Sequence, residues 1–285
     1  MKSTSYLIQA ALVSLWWVGL YTSQDFFMAF QFPNIPKVAF NSFFIPDLVL
    51  IMGLSLFRAY KKSKTLEWII LGAFAYGSLY CLNASILTGG GFLSTTIMML
   101  GLGYNLFLVN QSQLFRQSRS QNQLINGLKT VFQIICFWSI SLVLFPWIII
   151  DGFDLLPTNK ISFEISSYVL FVVSSVLGLS SAFAMVKYGD GTPLPTDQTN
   201  QLVTNGIYKY VRNPMAIAGM GQGIAISIYF ESFHILIYTI LGGLLWHVVV
   251  RPIEEKNMLK RFGKAYKDYT KTVGLWFPRS ILRRK

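Results

Sequence analysis

The sequence is poor in charged residues and in the residues that form disulfides or hold metals. Only 13% of its 285 residues are charged, about half the share that is usual in a soluble domain. Its two cysteines, Cys81 and Cys136, lie in apolar runs without metal-binding or redox spacing. These shortages argue against an ordinary soluble domain, a disulfide scaffold and a cysteine-based metal site. We expect no bound metal, and we interpret both cysteines as small buried apolar side chains.

Apolar sequence is what the chain has in abundance. Hydrophobic residues make up 53% of it, and the mean hydropathy is +0.48. Apolar runs of about 20 residues can cross a bilayer as helices, and these runs lack the alternation of a membrane β-barrel. The sequence therefore predicts an all-α, polytopic membrane helical bundle of about eight transmembrane helices. The predicted spans are roughly 6–23, 39–57, 66–88, 92–110, 129–150, 164–187, 214–230 and 233–251.

Basic residues gather in alternate connections between the predicted spans and in the segment after Arg251. The opposite connections are mainly acidic. The positive-inside rule then predicts that both termini and the loop 202–212 lie in the cytoplasm. The net charge of +12 follows from the same rule and favours contact with anionic lipid headgroups. It does not require a nucleic acid, and we expect none as a partner.

The chain divides into two halves around a polar linker. Residues 1–110 are expected to form a four-helix membrane region, residues 111–127 a cytoplasmic linker, and residues 128–285 a second membrane domain with a cytoplasmic tail. Asp47 is the most notable polar residue of the first half. It is either a functional intramembrane carboxylate or a cap at a helix start that follows Pro46, and the sequence favours neither.

A first polar cluster precedes the seventh predicted span. Residues 189–195 read GDGTPLP, and residues 202–214 read LVTNGIYKYVRNP. Pro214 suits the first turn of a helix, and Asn213 is placed to cap it. The free N–H groups of that helix start would favour a carboxylate or another anion. The alternative is that Arg212 only anchors the helix to lipid headgroups.

A second polar cluster follows the eighth predicted span. Glu254 and Glu255 come directly after Arg251-Pro252, and Phe262, Tyr266 and Tyr269 recur at the spacing of one helical face. The segment could simply be an interfacial helix. Adjacent carboxylates beside anionic lipids are nevertheless unfavourable unless a cation meets them. Because spans seven and eight form a hairpin, we expect the first cluster to lie beside the second.

Together these clusters resemble membrane methyltransferases of the isoprenylcysteine carboxyl methyltransferase and phospholipid methyltransferase group. That group shares a GxYxYVR(H/N)P loop, a helical hairpin, a Glu-Glu pair and FGxxYxxY. Here the elements are GIYKYVRNP from Gly206 to Pro214, then Glu254-Glu255, then FGKAYKDY from Phe262 to Tyr269. The resemblance covers about 90 residues, from Gly189 to Pro278, and the GDGTPLP segment is similar to the bacterial branch.

The resemblance implies transfer of a methyl group from S-adenosyl-L-methionine to a lipid-like or isoprenoid acceptor that enters from the bilayer. It implies an active site facing the cytoplasm, in a bacterial inner membrane. Arg212, Asn213 and Glu255 are the candidate catalytic residues. The candidate cofactor-binding residues are Leu202, Val203, Gly206, Tyr208, Tyr210, Val211, Arg212, Asn213, Pro214, His247, Arg251, Glu254, Glu255, Tyr266 and Tyr269.

Two departures from the group's pattern bear on the acceptor. Asn213 stands where eukaryotic members have histidine, so acid–base chemistry at this position is excluded. Met215-Ala216 replaces a segment that ends in an aromatic residue. Isoprenylcysteine, a phospholipid amine, a thiol and a small apolar metabolite all stay open as acceptors.

Two rival functions stay open as well. One is a membrane reductase of the sterol-reductase type, which has a similar hairpin but uses NADPH, and the other is a non-enzymatic transporter or assembly protein. Gly219, Gly221 and Gly223 could be mistaken for a phosphate loop, but they lie in a predicted span with no preceding strand. We therefore interpret these glycines as sites of close helix packing.

Overall fold

The computed structural model describes residues 1–110, 116–120, 122–153 and 161–279. Part of the predicted linker, 111–115 and 121, and the end of the tail, 280–285, lie outside the described residues. Within the described part, the regular secondary structure consists of helices, without strands. The helices are α1 (Lys2–Thr22), α2 (Gln24–Phe30), α3 (Lys37–Tyr60), α4 (Lys64–Thr88), α5 (Phe92–Val109), α6 (Gln123–Gly152), α7 (Ile161–Gly189), α8 (Pro214–Tyr229), α9 (Phe233–Val250) and α10 (Arg251–Thr272).

Seven of the described helical stretches are long and apolar enough to cross a membrane. The prediction of an all-helical polytopic membrane protein is confirmed, and the predicted runs correspond to helices. The seventh predicted span is the exception in length. Helix α8 has 16 residues, or about 24 Å, which is less than the ~30 Å hydrocarbon core. The eighth predicted span also differs, because its helix continues past Arg251 to Thr272.

The chain folds as two compact units. The N-terminal unit comprises Met1–Gln111 with Ile148–Leu155, and the C-terminal unit comprises Ser112–Trp147 with Leu156–Lys285. The core of the N-terminal unit is rich in aromatic side chains, including Trp17, Phe27, Phe30 and Phe40. Several ring pairs in this core meet edge to face, an arrangement that their quadrupoles favour.

Asp47 is buried in the N-terminal unit, with 6% of its surface exposed. Its Oδ2 accepts a hydrogen bond of 3.1 Å from Trp17 Nε1. Of the two interpretations of Asp47, the structure does not support the helix cap, because Pro46 before it is already helical and the carboxylate makes no capping bond. A carboxylate inside the bilayer needs a donor, and the indole N–H provides one.

Polar side chains at one end of the N-terminal unit also find partners. Glu67 is paired with Arg58 and lies 3.1 Å from Lys2 Nζ. Nearby, Gln9 donates to Ser55 and accepts from Asn105, both at 2.8 Å. Helices α1, α3, α4 and α5 are thus joined by polar contacts as well as by packing.

In the C-terminal unit, α8 packs between α7 and α9. A Cβ atom added to Gly221 would lie 2.2 Å from Ser174 Oγ on α7, and one added to Gly223 would lie 2.5 Å from Thr239 Oγ1 on α9. The prediction of close helix packing is confirmed for these two glycines. A Cβ atom added to Gly219 would meet no atom within 4 Å, so close packing does not explain this glycine.

Helix α10 bends sharply at Gly263. This residue has φ 51° and ψ −120°, a conformation that glycine adopts far more easily than residues with a Cβ. Beyond the helix, Trp276 Nε1 donates to His247 Nδ1 at 3.1 Å, and its ring lies 5.4 Å from that of Trp246. The chain therefore leaves the C-terminal end of α9, turns at Gly263 and returns to that end of α9.

Candidate functional site

The arginine-containing loop before α8 and the segment after α10 are joined by backbone contacts. Arg212 N donates to Gly274 O at 2.9 Å, next to a bridge between Val211 and Gly274. Tyr269 Oη donates to Tyr208 O at 2.7 Å. The return of the chain after Gly263 makes these contacts possible. They hold the loop against the side of α10 that carries Tyr269.

Side chains of the two polar clusters meet in a small ion-pair network. Arg212 Nη1 lies 2.9 Å from Glu255 Oε1, and Arg251 Nη1 lies 3.2 Å from Glu255 Oε2. These three side chains are 14–29% exposed. One carboxylate thus serves two guanidinium groups, and the expected proximity of Arg212 to Glu255 is present in the fold.

The GDGTPLP segment forms one wall of the site. A Cβ on Gly191 would lie 2.5 Å from Thr199 Cα and 2.6 Å from Gln198 O, and one on Gly189 would lie 2.6 Å from Thr199 Cγ2. Glycine at both positions lets the two arms of the loop approach each other. The two arms of the loop, residues 189–201, can therefore pack directly against each other.

Contacts with α10 and with the linker hold this loop in place. Arg261 Nη1 donates to Gln198 Oε1 at 2.9 Å, and the guanidinium also donates to Thr199 O. On the other side, Gln198 N donates to Arg116 O at 2.8 Å, and Ser118 N donates to Gln198 O at 2.9 Å. Linker residues 116–118 are therefore not a free connection but part of the C-terminal unit.

The loop, the start of α8 and the inner side of α10 surround a cavity of about 120 Å³. Many sequence-predicted cofactor residues lie in its wall. These are Leu202, Val203, Tyr208, Arg212, Asn213, Arg251, Glu254, Glu255, Tyr266 and Tyr269. All three candidate catalytic residues are among them.

Several polar groups of cavity residues lack partners among the described residues, and the buried Arg261 Nε is one of them. Glu254 has neither a hydrogen bond nor an ion pair there, although Glu255 beside it has two cationic partners. Arg212 Nε and the Tyr208 hydroxyl are buried without a hydrogen-bond partner in this part of the chain. Leaving such groups unsatisfied is costly, so they favour a polar ligand.

Tyr208 is held in its neutral form. Burial raises the pKa of its phenol, and the charges of Tyr269 and Glu254 raise that pKa further. At neutral pH the hydroxyl keeps its proton and can donate a hydrogen bond. The cavity therefore offers donors from Tyr208 and Arg212 and an acceptor from Glu254.

The other predicted cofactor residues do not line the cavity. Tyr210 is 60% exposed, and Gly206 opens the turn that precedes it. Val211 contributes a backbone bridge, and Pro214 is buried in the first turn of α8. His247 instead accepts the hydrogen bond of Trp276, which takes it out of the cavity wall.

Two local expectations also differ from the structure. Asn213 stands at the cap position of α8 but makes no side-chain capping bond, and its side chain borders the cavity. Phe262 precedes the kink at Gly263 and is not in the cavity wall, whereas Tyr266 and Tyr269 follow the kink and are. The kink separates the three rings because it interrupts the helical period.

Several cavity residues were not predicted from the sequence. They are Met185, Thr192, Pro193, Gln198, Thr199, Met258 and Arg261. The two glycines of GDGTPLP were the available signal for the residues of the loop, because glycines at a close approach often border a site. For Arg261 no such signal exists, since its role depends on contact with residues 62 and 63 positions away.

Comparison with known proteins identifies a family for this part of the chain. Residues 163–265 match the phospholipid methyltransferase family. No curated protein and no solved structure gives a significant match. The matched residues run from the start of α7 to just beyond Gly263 and contain the loop, the helical hairpin and both glutamates.

The match agrees with the resemblance that the motifs indicated, and that resemblance is confirmed. Combined with seven helical stretches suited to crossing a membrane, it shows an integral membrane protein of methyltransferase type. Residues 163–265 of this chain are similar to the phospholipid methyltransferase family.

Proposed function

We propose that this protein transfers a methyl group from S-adenosyl-L-methionine to a lipid-like acceptor at the cytoplasmic face of the membrane. The observation that carries the proposal is the pairing of Arg212 with Glu255 at a cavity inside the family domain. Phospholipid methyltransferases as a family generally use this cofactor, and the polar groups of the cavity suit it.

The chemistry of the cofactor matches the groups that lack partners. Its carboxylate suits the Arg212 guanidinium, whose Nε is buried without a partner. Its ammonium, sulfonium and ribose hydroxyls suit Glu254 or Glu255, and the hydroxyls also suit the Tyr208 phenol. Tyr266 and Tyr269 offer ring faces to the adenine or to the sulfonium.

Binding of the whole cofactor requires the cavity to widen. Its volume of about 120 Å³ is below the ~300–1,000 Å³ of typical ligand pockets. The loop 189–201 forms one wall of the cavity, and hydrogen bonds to α10 and to residues 116–118 hold it closed. We infer that it opens for entry and closes to exclude water.

The bound cofactor supplies an electrophilic methyl group on a positively charged sulfur. The work of the protein is to align that group with the acceptor and to keep water away. In our proposal Arg212 and Glu255 orient the amino-acid part of the cofactor. Asn213 orients the acceptor by hydrogen bonding, since an amide neither gains nor loses a proton near neutral pH.

The acceptor class and the orientation belong to the proposal. The basic residues in the connections around the site favour a cytoplasmic location, most simply in a bacterial inner membrane. An acceptor with an apolar chain can reach a site at the membrane surface from the bilayer. Isoprenylcysteine, a phospholipid amine, a thiol and a small apolar metabolite are the candidates.

Two measurements test this function. Equilibrium binding of labelled S-adenosyl-L-methionine, in parallel with NADPH, distinguishes the methyltransferase from the reductase alternative. A methyl-transfer screen with labelled cofactor and fractionated native lipids then identifies the acceptor. The Arg212→Ala variant serves as the control for both. Binding of NADPH without binding of S-adenosyl-L-methionine, or of neither, would overturn the proposal.

A further inference from the structure

Helix α10 carries a row of lysines on the side that faces away from the cavity. Lys256 and Lys260 share one face of the helix before the bend at Gly263, and Lys264, Lys267 and Lys271 share one face of the helix after it, because their spacings are three or four residues. All five side chains are exposed. The opposite face borders the cavity through Glu254, Met258 and Tyr269. The two faces of α10 therefore have separate environments.

The positive charge of this row is largely uncompensated. Lys271 forms an exposed ion pair of 3.1 Å with Asp268. The side chains of the other four lysines make no ion pair or hydrogen bond with any described residue. Lysines this close to one another repel, and an external anion stabilises such a row.

The bend at Gly263 brings the second half of this row back toward the membrane. From Arg251 to the bend, the helix rises about 18 Å beyond α9. The chain then returns, and Trp276 packs against Trp246 and His247 of α9. Lys264, Lys267 and Lys271 lie on this returning segment, which ends at the depth where the apolar span ends.

An exposed aromatic side chain lies near the same end of the apolar span. Phe277, next to Trp276, is 70% exposed. An apolar ring at the end of a membrane span is favoured in the interfacial layer of lipid headgroups. Exposed lysines and an exposed ring at one depth are typical of a surface that rests on lipid.

We propose that the lysine row of α10, Lys256–Lys271, is a binding surface for anionic lipid headgroups. The lysines supply the charge for lipid phosphates, and Phe277 lies where it can enter the interface. The return of the helix to the end of α9 favours a lipid surface over a soluble acidic partner. This surface lies outside the cavity and does not depend on the reaction that the cavity performs.

The test compares lipid preference in the full-length protein and in matched variants. Each protein is reconstituted in nanodiscs with spin-labelled phosphatidylglycerol or phosphatidylcholine, and the immobilised lipid fraction is measured. We expect the double variant Lys264→Gln/Lys267→Gln to lose its preference for phosphatidylglycerol by on the order of fivefold per lysine. Added salt should reduce the preference of the unmodified protein.

Two further variants separate this surface from general attraction by basic residues. Lys61→Gln/Lys62→Gln removes the same charge from exposed residues of the N-terminal unit and should change the preference much less. Lys264→Arg/Lys267→Arg should retain it. An equal loss in both glutamine pairs, or no loss in the α10 pair, would overturn the proposal. Far-ultraviolet circular dichroism checks that each variant is folded.

Discussion

Arg212 and Glu255 are 43 residues apart in sequence, yet Arg212 Nη1 and Glu255 Oε1 lie 2.9 Å apart. The helical hairpin of α8 and α9 lies between them. The Arg212 guanidinium can pair with the carboxylate of a free amino acid, and the Glu255 carboxylate can pair with its ammonium group. A ligand with a carboxylate and an ammonium can therefore replace the internal ion pair without leaving either side chain uncompensated.

Replacement of Arg212 by alanine should weaken binding of S-adenosyl-L-methionine by about 1–3 kcal/mol, because a charged hydrogen bond is lost. Glu255→Ala should have a loss in the same range. Equilibrium binding with labelled cofactor measures both. Lys209→Ala is the matched control, since Lys209 is exposed and three residues from Arg212. Wild-type affinity in both folded site variants would remove the support for this assignment.

Glu254 and Glu255 should differ in their effect on stability. Glu255→Gln removes the partner of two guanidinium groups and should lower the free energy of unfolding by about 1 kcal/mol, given the partial exposure of the pairs. Glu254→Gln removes a charge that has no partner among the described residues and should leave stability unchanged or raised.

Thermal unfolding in detergent measures this difference, and cofactor binding is measured on the same samples. Both glutamine variants should bind S-adenosyl-L-methionine less tightly, by roughly tenfold each. A Glu254→Gln variant that binds normally would show that Glu254 does not meet the cofactor.

Gly191→Ala should disturb the loop that covers the cavity. The added Cβ would lie 2.5 Å from Thr199 Cα, so the backbone must shift, at a cost of about 1–3 kcal/mol in stability. Cofactor affinity should fall as well. Gly219→Ala is the control, because nothing lies within 4 Å of its Cβ position, and alanine in a helix should stabilise it by about 0.5–1 kcal/mol. Equal behaviour of the two variants in thermal unfolding would contradict this account.

Trp276→Phe tests the anchoring of the segment after α10. It keeps an aromatic ring beside Trp246 but removes the hydrogen bond to His247. Stability should fall by about 1 kcal/mol, while affinity for S-adenosyl-L-methionine should stay within about twofold, because neither residue is in the cavity wall. A large loss of affinity with an unchanged unfolding temperature would show that His247 contributes to cofactor binding.

The motifs predicted that two distant segments lie side by side, and Arg212 and Glu255 are in contact. The GIYKYVRNP loop and the adjacent glutamates meet, since a hairpin of two neighbouring helices returns the chain to the side on which it began. The sequence could not show that His247 turns to Trp276 or that Arg261 holds residues 198 and 199. Both contacts join residues that are far apart in the sequence, so the periodicity of a single helix does not predict them.

The amino-acid sequence by itself determined the membrane location and the helices. Inside a bilayer each backbone group must be satisfied within its own segment, so a continuous apolar run of sufficient length has few alternatives to a helix. Only the tertiary structure decided the bend at Gly263, the return of the chain to α9 and the closure of the loop over the cavity. These features depend on the backbone conformation of one residue and on contacts between side chains that are distant in the sequence. Local sequence patterns do not predict the energies of such contacts.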